Sequence, residues 1–181
     1  MEPGTYAIVS YLPGGLGSFV DFLRQKLNPQ YAGKAAHVTV LPARALQGRE
    51  DEILEDARLR CAEFEPFEVE VAGVSNFLPL SSVVYLTIGA GEPELGRLHE
   101  ALNAGRLWQQ ELHPYVPHIS IVQDLDEAQT RALQPVLNER LARYARPRRF
   151  RVETLMFVRQ TEDGNWVDLA PLVLGPAHVV S

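Results

Sequence analysis

Apolar and polar positions alternate in short stretches of this chain and recur three to four apart in longer ones, the two periods of strands and helices. Tyr6-Ala7-Ile8-Val9-Ser10-Tyr11 predicts a first strand, which Pro13-Gly14-Gly15 interrupts before a helix from about Leu16 to Leu27. His37-Val38-Thr39-Val40 reads as a second strand. After Pro42, the residues Ile53, Leu54, Ala57, Cys61 and Phe64 have helical spacing, which predicts a helix over Arg49 to Phe64. Phe67-Glu68-Val69-Glu70-Val71 then alternates as a strand, completing a β-α-β-α-β run.

The second half repeats that order. Val83 to Ile88 predicts a strand, Pro93 to Leu107 a helix, His118-Ile119-Ser120-Ile121 a strand, Asp126 to Tyr144 a helix and Phe150 to Thr154 a strand. Thirty residues separate His37 from Phe67 and 32 separate His118 from Phe150, so the two halves keep nearly the same internal spacing. A last strand pair is expected at Met156 to Arg159 and Trp166 to Leu169, joined by a turn over Glu162-Asp163-Gly164-Asn165. The pattern implies one bilobal α+β unit over residues 1–181, an internal duplication with antiparallel or mixed sheets lining a central cleft and helices outside.

The two histidine strands fall at the same place in each half. On a strand, side chains two apart share a face, so each tetrapeptide projects an imidazole with a hydroxyl and turns its aliphatic residues the other way. A histidine on a strand is often an ordinary half-buried residue. With five histidines, however, roughly 0.1 to 0.2 such patterns would arise by chance, and this chain has two. If a pseudo-twofold axis relates the halves, both imidazoles converge on one cleft.

Bulk properties narrow the classes. The 181 residues are 46% hydrophobic and 22% charged, a globular composition, with no apolar run long enough to span a bilayer. Met1-Glu2-Pro3-Gly4 lacks the regions of a secretory signal, so a cytoplasmic protein is expected. The single cysteine, Cys61, reads as a small apolar packing residue. A formal net charge of −6 argues against an extended duplex nucleic-acid surface and remains compatible with a small or terminal phosphate ligand. Against that balance stands a basic cluster, Arg140, Arg143, Arg146, Arg148, Arg149 and Arg151, either a solvated helix end or a flank that guides an oligonucleotide.

Two H-Φ-[ST]-Φ motifs, one in each half of a duplicated α/β chain of this length, resemble the 2H phosphoesterase superfamily. Within it, Ala36-His37-Val38-Thr39-Val40-Leu41-Pro42 and Pro114-Tyr115-Val116-Pro117-His118-Ile119-Ser120-Ile121 look like the flanking sequences of the bacterial 2′-5′ RNA ligase (LigT-like) family, whose better-attested activity is RNA 2′,3′-cyclic phosphodiesterase. The resemblance runs from Tyr6 to about Gly175 and implies that family's two-lobed fold. Opening a cyclic phosphate takes a base for water, an acid for the departing 2′-oxygen and donors for the nonbridging oxygens. Imidazole, with its ordinary pKa near 6.5, serves as either base or acid close to neutrality. Thr39 and Ser120 would donate to phosphate oxygens, and the resemblance implies His118 as base and His37 as acid in hydrolysis, with the roles exchanged in ligation. This chemistry needs no metal or other cofactor. The expected substrate is a small nucleotide or RNA end, handled by a monomer without a membrane.

Other residues have weaker claims. Tyr11, at the end of the first strand, and Tyr115, just before the second motif, are candidates to stack on a base or sugar, and Arg159 is a candidate phosphate partner on a cleft strand. His113 and His178 read as loop or tail residues, and His99 as the edge of a core face beside Leu95, Leu98 and Leu102. Three rival readings stand beside the phosphodiesterase. One is a metallohydrolase using His37, His118 and Asp124, although six residues of extended strand would hold His118 and Asp124 roughly 20 Å apart. Another is a serine hydrolase built on Ser120, which lacks a nucleophile elbow. The third is a non-catalytic nucleotide- or RNA-binding module on the same scaffold.

Overall fold

The computed structural model describes residues 4–31 and 33–176; His178 lies outside them. The elements run β1 (Gly4–Tyr11), α1 (Gly14–Leu27), β2 (His37–Leu46), α2 (Glu50–Cys61), β3 (Phe67–Asn76), β4 (Val84–Ile88), α3 (Glu92–Leu102), β5 (His118–Val122), α4 (Glu127–Ala142), β6 (Arg149–Val152), β7 (Thr154–Gln160) and β8 (Trp166–Val173). They form two four-stranded sheets, β2-β1-β7-β8 and β5-β4-β3-β6, in which every pairing is antiparallel. The fold is α+β.

The two β-α-β-α-β runs do not close separately. β3, the last strand of the first run, crosses into the second sheet between β4 and β6, and β7 takes the matching position beside β1. α2 packs on β8 and α4 on β3, whereas α1 and α3 reach across, α1 to β5 and α3 to β2. One continuous buried core, including Ile8, Val38, Val40, Leu86, Ile119, Ile121 and Phe157, draws on both sheets. A smaller cluster of Ala7, Val9 and Val158, with Tyr11, Met156 and Trp166 packed on it, covers the opposite face of the first sheet.

Element boundaries follow local chemistry. β2 runs through Pro42 and β8 through Pro171; both strands lie at sheet edges, where a missing N–H costs no ladder bond. α3 stops at Leu102, short of the Leu107 expected from its periodicity: Asn103 leaves helical geometry with ψ 59°, Ala104 is extended, and the chain re-forms only as a 3₁₀ turn over Gly105–Leu107. α4 begins with a reciprocal cap: Asp126 accepts from the Gln129 N–H at 2.7 Å, and the Gln129 amide accepts from the Asp126 N–H at 3.3 Å. The β7–β8 turn closes around Asp163, which accepts from Thr161 and from Asn165 Nδ2 at 2.8 Å. Cys61 is fully buried, and desolvation pushes its thiol up to about 12, in keeping with a packing role. Among the described residues, no helix is long and apolar enough to cross a membrane.

The basic cluster is largely occupied by its own surroundings. Arg143 pairs with Glu139 at 2.6 Å, Arg149 with Glu70 at 2.5 Å, and Arg151 with Glu68 and Glu153, while Arg148 donates to the Leu141 carbonyl. Three of its six arginines are met by neighbouring glutamates, which favours the solvated structural reading over a guiding flank.

α1 sits hard against the exit from β1. A Cβ on Gly17 would lie 2.3 Å from the Leu12 carbonyl oxygen, a backbone atom with little freedom to yield. Gly17→Ala is therefore expected to lift α1 and to destabilise the fold by about 1 to 3 kcal/mol. Thermal unfolding monitored by circular dichroism tests this; an unchanged midpoint would mean that the helix does not need this approach.

Candidate functional site

Register decides what each motif presents. Tyr11 lies opposite His37 and Val9 opposite Thr39 on β1, while Thr87 lies opposite His118 and Tyr85 opposite Ser120 on β4. The intervening Val38, Val40, Ile119 and Ile121 are fully buried in the core, so alternation leaves the imidazole and hydroxyl of each motif on the other face. β2 and β5 are edge strands of their sheets and pack against each other. The two motifs thus lie on adjoining strands, near enough for the charge of His118 to be felt at His37.

Both imidazoles are held in the same way. His37 Nδ1 lies 2.6 Å from the Ala35 carbonyl and His118 Nδ1 lies 2.7 Å from the Val116 carbonyl, each two residues upstream. A carbonyl only accepts, so Nδ1 carries the hydrogen in both rings and Nε2 is left with the free lone pair.

Their surroundings differ. His37 is 6% exposed, and burial pushes its pKa down to about 4, helped by the charges of Arg24 and Lys34 and by His118, against the bond to Ala35. His118 is half-buried, in edge contact with Phe77 and Tyr85 at ring-centroid distances of 4.8 and 5.1 Å. Desolvation lowers its pKa too, opposed by its bond to Val116. Thr39 and Ser120 are half-buried beside the rings.

Both motif strands are braced from the other half of the chain. Arg24 of α1, fully buried, donates from Nε to the Ser120 carbonyl and from Nη1 to the Lys34 carbonyl, both at 2.9 Å. Asn28 follows with a 2.7 Å bond to the Gln123 carbonyl. In the reverse direction, the Tyr115 hydroxyl donates to the Thr39 carbonyl at 2.8 Å, and His99 Nδ1 of α3 donates to the Val40 carbonyl at 2.7 Å. His99 Nε2 contacts Glu111 at 2.8 Å, and Glu111 also pairs with the buried Arg44. His99 is thus a buried, hydrogen-bonded support and not the rim of a core face.

A pocket of about 430 Å³ opens beside His37, lined by Tyr11, Lys34, Asn165, Trp166, Asp168 and the backbone around Ala35. The Trp166 ring lies 5.5 Å from the His37 ring, and the Lys34 ammonium sits 4.5 Å over the Trp166 face. Tyr11 Oη donates to Asp168 Oδ1 at 2.5 Å; burial, followed by that carboxylate, raises the Tyr11 pKa.

The residues expected at the site therefore divide. Tyr11 and His37 line one pocket, and Thr39, His118 and Ser120 lie on the same two adjoining edge strands, β2 and β5. Tyr115 instead turns its hydroxyl to the backbone of β2 and stacks on His99 at 4.1 Å, nearly parallel, so it supports the motif strand from behind. Arg159 pairs with Tyr6 across the sheet and bonds Glu50 at 2.8 Å. That puts it on the face of the first sheet opposite His37, against α2, and removes it from the cleft. Lys34, Trp166, Asp168, Phe77 and Tyr85 were not among the sequence candidates. Trp166 and Asp168 share a face of β8, and Lys34 lies three residues before His37, but only the pairing of β8 through β7 and β1 to β2 reveals that they are neighbours.

Residues 12–164 match the family model described as the 2′-5′ RNA ligase superfamily. A protein of Oceanobacillus iheyensis named "Putative phosphoesterase OB1230" is 31% identical over 124 residues, covering 67% of this chain and 71% of that one. A Geobacillus kaustophilus protein named "Putative phosphoesterase GK0864" is 26% identical over 176 residues, covering 97% and 99%. The crystal structure of E. coli LigT complexed with 3′-AMP aligns with a TM-score of 0.63 and 19% identity over 96% of this chain and 99% of that one, a likeness of fold. With its motif histidines on facing edge strands and most of its length matched, the chain belongs to the 2′-5′ RNA ligase superfamily, the 2H phosphoesterases.

Proposed function

We propose that the protein is a metal-independent hydrolase of 2′,3′-cyclic phosphodiesters, in nucleotides or at RNA ends. The observation that carries this reading is the pair of imidazoles on adjoining edge strands, each with Nδ1 tied to a carbonyl and Nε2 free, each beside a hydroxyl. A phosphate bridging the seam meets one Nε2 that removes a proton from water and one that returns a proton to the departing ribose oxygen. Thr39 and Ser120 donate to the nonbridging oxygens as charge builds in the transition state. LigT of the same fold was crystallised with 3′-AMP, and a nucleotide of that class suits a cleft of this kind. Reversal would join 2′-5′ ends with the same groups in exchanged roles, and water at high concentration favours hydrolysis.

Electrostatics favours one division of labour. Protonating His37 costs burial plus repulsion from Arg24 and Lys34, whereas the opposing cause at the half-buried His118 is desolvation. His118 takes up the proton first and, once charged, further discourages His37. His37 is then the base and His118 the acid in hydrolysis, the reverse of the assignment that the family resemblance suggests.

Three outcomes follow. His37→Ala and His118→Ala are each expected to lower kcat for nucleoside 2′,3′-cyclic phosphates by about 10²- to 10⁴-fold, with the circular dichroism spectrum unchanged; undiminished turnover in either would defeat the mechanism. On a p-nitrophenyl phosphodiester, whose leaving group needs no proton, His118→Ala should regain much of its loss and His37→Ala should not; the opposite pattern would exchange the roles. The pH dependence of kcat/KM should be a bell whose optimum lies on the acid side of neutrality. Its acid limb falls as His37 protonates near its pKa of about 4, and its alkaline limb falls as His118 loses its proton below the usual imidazole value of about 6.5. The anionic substrate raises both pKa values, so the kcat profile is displaced upward; a flat kcat/KM between pH 4 and 8 would contradict the scheme.

A further inference from the structure

We propose that the pocket beside His37 is a nucleobase subsite, in which Trp166 takes the plane of the base and Asp168 reads an amino-bearing edge. This deepens the proposed cyclic phosphodiesterase reading by naming which substrates it prefers.

The pocket's volume, about 430 Å³, falls within the range of about 300 to 1,000 Å³ typical of small-molecule sites and exceeds the needs of a phosphate alone. Its aromatic wall is next to the chemistry: the Trp166 and His37 rings are 5.5 Å apart, so a base lying on Trp166 is on the same nucleotide as a phosphate at His37. The Trp166 face is covered by the Lys34 ammonium at 4.5 Å, and Lys34 forms no ion pair among the described residues. A cation on an indole face occupies the surface on which a base stacks. When a base displaces it, the ammonium is free to swing toward the phosphate, so one movement opens the stacking face and supplies a counter-charge.

Asp168 orients the ligand. Among the described residues it is the one carboxylate lining the pocket, and the Tyr11 hydroxyl, donating to Oδ1 at 2.5 Å, holds it in place. A fixed negative charge repels phosphate from that end and attracts N–H donors. Adenine, cytosine and guanine offer exocyclic amino groups. Uracil offers only an N3–H flanked by two carbonyl oxygens, which would face the carboxylate unfavourably. The subsite therefore selects amino-bearing bases over uracil.

The test uses Trp166 as its reporter. The chain has two tryptophans, and Trp108 is 61% exposed, so Trp108→Phe leaves Trp166 as the only indole. Titration with 3′-AMP, 3′-CMP, 3′-GMP and 3′-UMP should quench its emission saturably, with Kd for the first three at least about fivefold below that for 3′-UMP, as expected when one hydrogen-bonding edge is matched or mismatched. Adding Asp168→Asn, an exposed change that spares the fold, should shrink the difference to less than about twofold. An unresponsive Trp166, equal affinity for 3′-UMP, or discrimination that survives Asp168→Asn would each overturn the subsite. Turnover of the four 2′,3′-cyclic nucleotides by the Trp108→Phe protein keeps the two readings apart. Discrimination in binding with no turnover would support the subsite and defeat the proposed reaction; turnover without discrimination would do the opposite.

Discussion

Two sheet edges meet inside this molecule, and backbone groups on those edges still require hydrogen-bond partners. An edge strand facing solvent is satisfied by water, but β2 and β5, which carry the two histidine motifs, pack against each other. The donors come from the opposite half in each direction: Arg24 and Asn28 reach the carbonyls of Ser120 and Gln123, and Tyr115 and His99 reach those of Thr39 and Val40. Four bonds thus fix the backbone of both motifs next to the histidines. The motif backbones are tied down because the interface that joins them must also be satisfied.

That requirement shapes the chemistry on each side unequally. Bracing β5 brings a buried guanidinium to the seam, and its charge is felt by His37. Bracing β2 instead uses a neutral hydroxyl and an imidazole whose partner, Glu111, is also tied to Arg44. Two motifs nearly identical in sequence therefore sit in different fields, and burial with the neighbouring charges disfavours a proton on His37 more than on His118. Under the proposed reaction, the division into acid and base would come from what surrounds the repeated pattern and not from the pattern itself.

The parts of the fold that were legible in the sequence are those set by local periodicity. The alternation at His37 to Val40 and at His118 to Ile121 correctly paired each imidazole with a hydroxyl on one face, because the aliphatic partners had to be buried. The face of Arg159 was not legible: Leu155 and Phe157 on one side of β7, and Met156 and Val158 on the other, are all apolar, so alternation carries no parity signal there. The sheet exchange was hidden for a different reason. β3 alternates equally well beside β1 or β4, and choosing between them is a matter of non-local pairing. Tyr115 looked like a stacking residue because its sequence neighbours lie at the site, while its ring turns back to His99. The Lys34, Trp166 and Asp168 pocket was invisible because it joins residues from the two ends of the chain.

The exchange of β3 for β7 also governs the order in which this protein acquires its shape. The partner of β1 in the middle of the first sheet is β7, with Tyr6 opposite Arg159, so β1 waits for a strand made much later in the chain. Until then the amino-terminal half has only β1 against β2, and β3 already belongs to a sheet whose other strands come later in the chain. Assembly is dominated by contacts of high sequence separation, which slows folding and makes it a single late event. The wall of the pocket that β8 supplies is added in that same event, so the seam between the two histidine motifs and the pocket beside it take shape together.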